Sequence, residues 1–154
     1  MKPILLLGDS CRDEFVYCDC KRLCPEAPVP VLDKKEIVRT NGMAGNVCKN
    51  LRSFTHNCIF LTNKNYTDIT KTRYVDRKTN HMFIRIDTSV QSTKLTSRQR
   101  NSIVFDDYSA VILSDYDKGY LSEEDIAYIS SKHPLTFLDT KKLLGDWAND
   151  ISFI

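Results

Sequence analysis

Three prolines within six residues, Pro25, Pro28 and Pro30, restrict what the segment around them can become. Each fixes φ near −65° and removes a backbone donor, so this stretch suits a projecting extended arm or an edge strand and not a central strand. From Val31 to Val38, β-branched residues are mixed with charges, the pattern of an exposed sheet that covers something. Gly42 and Gly45 then bracket a point where the backbone can bend or lie close to a ligand. Asn46 follows at the start of a helix, where free N–H groups favour polar or anionic partners and where asparagine can also act simply as a cap. Val47, Leu51 and Phe54 recur at helical spacing and predict the buried face of that helix.

The apolar run Lys2 to Leu7 ends at Gly8 and Asp9, which predicts a buried strand whose C-terminal end delivers a carboxylate to a crevice. Asn57 to Thr62 reads as a second short strand. Lys71 to Arg77 and His81 to Asp87 alternate around Lys78, Thr79 and Asn80, as a hairpin does. Thr96 to Phe105 is expected to be a helix, and Ala110 to Leu113 a buried strand leading to Ser114, Asp115, Tyr116, Asp117, Lys118 and Gly119. Ser122 with Asp125 forms a variant capping box that opens a helix to about Lys132, ended by Pro134. Leu135 to Leu138 is the next strand, closed by Asp139, Thr140 and Lys141. Trp147 is expected to pack a short helix on the sheet, and Ile151 to Ile154 to add one more core strand. Alternating helices and apolar strands predict a three-layer α/β domain with a mainly parallel sheet.

At 154 residues the chain suits one domain with its own core. Its 22 basic and 20 acidic residues are interspersed, and the net charge of +2 carries neither a nucleic-acid nor a membrane signature. The apolar opening is too short for a signal peptide or a membrane span, which predicts a cytoplasmic protein. Six cysteines in that setting predict reduced thiols. Cys11, Cys18, Cys20 and Cys24 lie close together, but they lack the paired C-x-x-C spacing and a nearby histidine that a structural zinc site calls for.

Arg22, Pro25, Glu26, Ala27, Pro28, Val29 and Pro30, followed by Asn41, Gly42, Met43, Ala44, Gly45 and Asn46, resemble the PfkB/ribokinase-like carbohydrate kinases. The resemblance is nearest to the kinases of D-glycero-D-manno-heptose 7-phosphate, with their Ser-Pro-Glu-Ala-Pro-Val-Pro arm and Gly-Gly-Ala-Ala-Asn turn. Gly8, Asp9 and Asp13 match the family's Gly-Asp-x-x-x-Asp opening. The Ser114 to Gly119 segment resembles its Ser-Asp-Tyr-x-Lys-Gly, and Asp139, Thr140 and Lys141 its Asp-Pro-Lys. The resemblance implies a ribokinase-like three-layer domain over residues 1–154, with lid segments at about 14–40 and 71–87 forming a small β lid. It implies that Asp13, Gly42 and Asn46 hold a sugar, that Asp9, Asp115 and Lys118 face the same crevice, and that Lys118 and Lys141 are candidates for phosphate. Arg73, Arg77 and Arg85 on the hairpin suit a sugar phosphate or are simply solvated. ATP and Mg²⁺ are the implied cofactors, and a homodimer through the lid is an implied assembly. Met43 stands where relatives carry a second glycine, a departure that means strain if that position needs positive φ.

The family's Gly-Ala-Gly-Asp, whose aspartate takes the proton from the sugar hydroxyl, does not occur in these 154 residues, nor does a Walker-type phosphate loop. The expectation is therefore a domain incomplete at its C-terminus, the sugar-binding half of an ATP-dependent carbohydrate kinase with negligible phosphoryl transfer by itself. The alternative is a non-catalytic sugar-binding or dimerising module. A nucleotide-binding α/β protein is disfavoured because Gly8, Asp9 and Ser10 lack a glycine-rich turn.

Overall fold

A computed structural model describes residues 2–88 and 90–154. Four parallel strands make the first sheet in the order β4-β1-β7-β8: β1 (Ile4–Gly8), β4 (Cys58–Thr62), β7 (Ala110–Asp115) and β8 (Thr136–Thr140). Leu5, Leu6 and Leu7 of β1 are fully buried because the sheet is covered on both faces. Leu5 and Leu7 join Val111, Leu113, Ile126 and Ile129 on the side of helix α3 (Glu123–Lys132). Leu6 turns the other way, to Cys48, Val47 and Leu51 of helix α1 (Ala44–Phe54). Each such leucine contributes about 1.5–3 kcal/mol by leaving water, and the alternation of faces is what makes three layers.

The second sheet is mixed, in the order β3-β2-β5-β6: β2 (Ser10–Leu23), β3 (Pro30–Met43), β5 (Thr70–Asp76) and β6 (Met82–Asp87). β2 pairs antiparallel with β3 and parallel with β5, and β5 pairs antiparallel with β6. The prolines lie at the exposed tip of the β2–β3 hairpin, which continues past the last pairing of β2 with β5. Residues 24–29 are the bend joining β2 to β3, and Pro30 opens β3 on the edge of the sheet, where a missing N–H costs no ladder bond. The 71–87 hairpin forms as expected, with Asn80 at φ 60° in its turn.

At two of the four passages between them, the sheets are joined with almost no connecting chain. Only Asp9 separates β1 from β2, and β3 passes directly into α1 at Met43. The Ala44 N–H donates to the Asp9 carbonyl at 2.9 Å, tying the two crossings together. Met43 takes φ 57° and ψ −131°, a backbone region that glycine occupies freely and other residues rarely do. It is the N-cap residue of α1 and provides no side-chain cap, so Asn46, at the third helical position, is not the cap.

Several expected elements are shorter or differently packed. The helix expected over 96–105 is α2 (Ser97–Asn101), opened by a full capping box between Thr96 and Gln99. Phe105 starts a separate 3-10 turn (Phe105–Asp107) and is buried in the core. Phe54 lies in the last turn of α1 and is 89 % exposed, while Cys48 takes the buried position beside Val47 and Leu51. Ile151 to Ile154 is not a core strand. A single parallel bridge joins Phe153 to Phe137, with rings stacked at 4.9 Å, and Ile154 is exposed. Trp147 does pack on the main core from a 3-10 turn (Asp146–Ala148). Ser122 and Asp125 exchange both capping-box bonds at the start of α3.

Candidate functional site

One face of the second sheet, read through its registers, carries two rows of side chains. Thr40, Asp13, Lys71 and Asp87 lie side by side across β3, β2, β5 and β6, and Val38, Phe15, Arg73 and Arg85 form the next row. Paired residues share a face, so the sheet brings Asp13 together with Lys71 and Arg73 although about 60 residues separate them. Arg73 Nη1 donates to Asp13 Oδ1 at 2.7 Å, and its guanidinium stacks over Phe15 at 5.1 Å. Arg85 makes two bonds to Asp87, at 2.7 and 2.6 Å, which hold that carboxylate below its ordinary range. Arg77 is paired with Asp19.

Gly42 sits directly against this row. A Cβ on it would fall 2.3 Å from Asp13 Oδ2 and 2.7 Å from Cys11 Sγ, so the absence of a side chain is what lets the carboxylate lie flat on β3. Asn46 is exposed on the first turn of α1. Asp13 and Gly42 are therefore in contact across β2 and β3, and Asn46 lies at the start of the helix that follows β3.

The loop after β7 closes the other side. Tyr116 packs with Cys11, Met43 and Ile69, and the ammonium groups of Lys141 and Lys71 lie over its ring at 5.2 and 5.8 Å. Lys118 is exposed and lines a cavity of about 290 Å³ with Lys71, Asp87 and Gln91. Lys71 thus shares the Tyr116 ring with Lys141 and the cavity with Lys118. Lys71 and Tyr116 are the functional candidates that sequence reasoning did not single out. The signal for Lys71 is its register opposite Asp13, which no spacing along one chain reveals.

Asp9 and Asp115 do not turn their carboxylates to this crevice. Asp9 is fully buried and accepts from the backbone N–H groups of Tyr116 at 3.0 Å, Lys118 at 3.4 Å and Tyr120 at 3.1 Å. Burial raises its pKa, and these amides work against that rise. Asp115 accepts from the Thr140 hydroxyl at 2.7 Å and from Lys142 Nζ at 2.6 Å. Burial works to lower the pKa of Lys142, but the bonds and charges of Asp115 and Asp117 outweigh it and the pKa is raised. These two aspartates shape the loops that carry Tyr116, Lys118 and Lys141.

Among the described residues no three His, Cys, Asp or Glu side chains converge as a metal site, and the six cysteines are free thiols. No described helix is long and apolar enough to cross a membrane.

The architecture is that of the ribokinase-like carbohydrate kinases. The carbohydrate kinase from Agrobacterium tumefaciens superposes with a TM-score of 0.53 at 12% identity, over 90% of this chain and 53% of that one. Phosphofructokinase-2 from Escherichia coli, in complex with fructose-6-phosphate, superposes with a TM-score of 0.54 at 10% identity, over 97% of this chain and 57% of that one. No protein-family model matches the chain. In sequence it is similar to the bifunctional protein HldE of Rhodopseudomonas palustris (strain BisA53), 39% identical over 61 residues, which is 40% of this chain and 12% of that protein. It is also 37% identical over 83 residues to the bifunctional protein HldE of Helicobacter pylori (strain J99), 49% of this chain and 18% of that protein. The likeness to the solved kinases is one of fold, and the chain spans about half their length and a smaller share of these curated relatives.

Proposed function

We propose that this chain is the sugar-holding part of an ATP-dependent carbohydrate kinase, and that its ligand is a sugar phosphate of the heptose 7-phosphate type. The observation that carries this reading is the Asp13 carboxylate lying on Gly42 in the same row as Lys71. A carboxylate accepts from two sugar hydroxyls at once, which suits Asp13 to the sugar ring, with Asn46 and the Gly42 backbone beside it. Lys71, Lys118 and Lys141 supply positive charge around the mouth of the same crevice and suit a phosphate. Asp9 and Asp115 act as positioning residues that hold the loops bearing those lysines.

Phosphoryl transfer needs a base and a nucleotide site, and these 154 residues carry neither motif. A second reading is a module that binds sugar phosphate without transferring phosphate. The lid also suits a homodimer. Met82, Ile84 and Ile86 of edge strand β6 are each about half exposed on its outer face, a surface that a second copy can cover.

Calorimetric titration with D-glycero-D-manno-heptose 7-phosphate, alongside fructose 6-phosphate, tests the main reading. Saturable binding that Asp13→Asn weakens supports it. Equal, weak heats with both sugars would remove the heptose assignment, and no binding to either would remove the sugar site. Incubation with ATP, Mg²⁺ and the heptose phosphate separates the two readings, and no phosphorylated product is expected from this chain alone. Light scattering of the wild type and Ile84→Glu tests the dimer, which predicts that the charge leaves only monomer.

A further inference from the structure

The opposite side of β3 carries a second opening that the sugar crevice does not use. A cavity of about 450 Å³ lies between β3, α1 and β4, with Lys49, Arg52 and Arg39 at its edge and Cys48 and Phe60 in its wall. It shares Asn41 and Phe60 with a narrower hollow of about 170 Å³ that continues to Ser10 and Tyr66. Ser10 is 1 % exposed, and its hydroxyl has no hydrogen-bond partner. A buried hydroxyl without a partner costs about 1–3 kcal/mol, which a ligand reaching into the hollow would recover.

Charge at the wide end is not balanced in the way it is on the crevice face. Arg39 is held by Glu14 at 2.8 Å, but Lys49 and Arg52 form no ion pair among the described residues. Spaced three apart on α1, they project side by side from the helix. The combined space falls within the range of small-molecule sites, lined by cations on α1, by Phe60 and Tyr66, and by the residue Ser10.

We infer that this opening is a second binding site, for a small phosphate ester whose phosphate sits between Lys49 and Arg52 and whose compact ring lies against Phe60 and Tyr66 toward Ser10. Its side chains on β3, Arg39 and Asn41, alternate with Thr40 and Gly42 and so belong to the other face of the sheet from Asp13; Thr40 is the one residue of the Asp13 row that also lines it.

The probe is phenyl phosphate, titrated calorimetrically into the chain with inorganic phosphate as the comparison. Saturable binding is expected, tighter for phenyl phosphate. Removing both exposed cations, as Lys49→Ala with Arg52→Ala, should weaken it by about tenfold or more, the loss expected for charge-assisted bonds to a phosphate. Tyr66→Ala should reduce the preference for phenyl phosphate over inorganic phosphate. Lys71→Ala with Lys118→Ala removes phosphate binding in the crevice and should leave the part of the binding that the α1 variant loses, which distinguishes failure here from failure of the sugar reading. Absence of binding, equal affinity for both probes, indifference to the α1 cations, or loss of that same part in the crevice variant would each overturn the inference.

Discussion

The guanidinium of Arg73 holds the carboxylate of Asp13 at 2.7 Å, with each side chain only about a fifth exposed. The acceptor proposed for the sugar is therefore already oriented by a charge on the neighbouring strand. Replacing Asp13 by Asn keeps the shape and removes the charge. We expect affinity for sugar phosphate to fall about tenfold or more. Stability should drop by no more than about 1 kcal/mol, because the pair is partly solvated. Calorimetry and thermal unfolding of the same preparation check both halves.

Met43 offers a test in which the usual order of two substitutions reverses. Glycine in a regular element is ordinarily worse than alanine by about 0.5–1 kcal/mol. At φ 57° and ψ −131° alanine keeps the strain and glycine releases it. Both lose the contacts of Met43 with Cys11 and Ile69. Met43→Gly is expected to be more stable than Met43→Ala by about 1 kcal/mol. The opposite order in urea unfolding would mean that the junction is unstrained.

Lys142 and Asp115 form a pair whose side chains are 12 % and 0 % exposed. Breaking such a pair leaves an uncompensated buried charge and costs about 3–5 kcal/mol. Lys142→Met should unfold at clearly lower denaturant than the wild type. Lys142→Met combined with Asp115→Asn should recover part of the loss.

Alkaline conditions should weaken the fold in two linked ways. Tyr120 is pushed up to about 12 from an ordinary 10.0, first by burial and then by the charges of Asp9 and Asp125. Between those values the unfolded chain gives up the tyrosine proton while the folded chain keeps it, so stability falls as pH rises. The raised Lys142 acts in the same direction: its contribution is complete below 10.5 and is lost as pH climbs through the folded value. Tyr120→Phe should flatten the decline of melting temperature above about pH 10, the ordinary tyrosine value. An unchanged slope would show that Tyr120 titrates normally.

The strands and their order of type were legible because their chemistry is local. The apolar run Ile4 to Leu7, the turn at Lys78 to Asn80 and the capping box of Ser122 with Asp125 each announce themselves within a few residues. What escaped was set by pairing across distance. Asp9 reads as a ligand-facing carboxylate until a loop more than 100 residues away is seen to donate three amides to it. Lys141 and Lys142 are adjacent lysines with nothing in their order to say which one enters the buried pair with Asp115. Phe54 fits the helical period of α1, but periodicity gives a direction and not the extent of the surface facing it. Met43 was legible in the other sense: a missing glycine in the resembling motif marks a place where a non-glycine residue takes positive φ.

Because β1 runs into β2 through Asp9 alone, and β3 runs into α1 at Met43, two of the four passages of the chain between the sheets have no slack. The other two, from β4 to β5 and from β6 to α2, span more residues. Asp9 accepts from the Lys118 amide, so the loop that presents that lysine is fastened to the tight pair of passages through a single buried side chain.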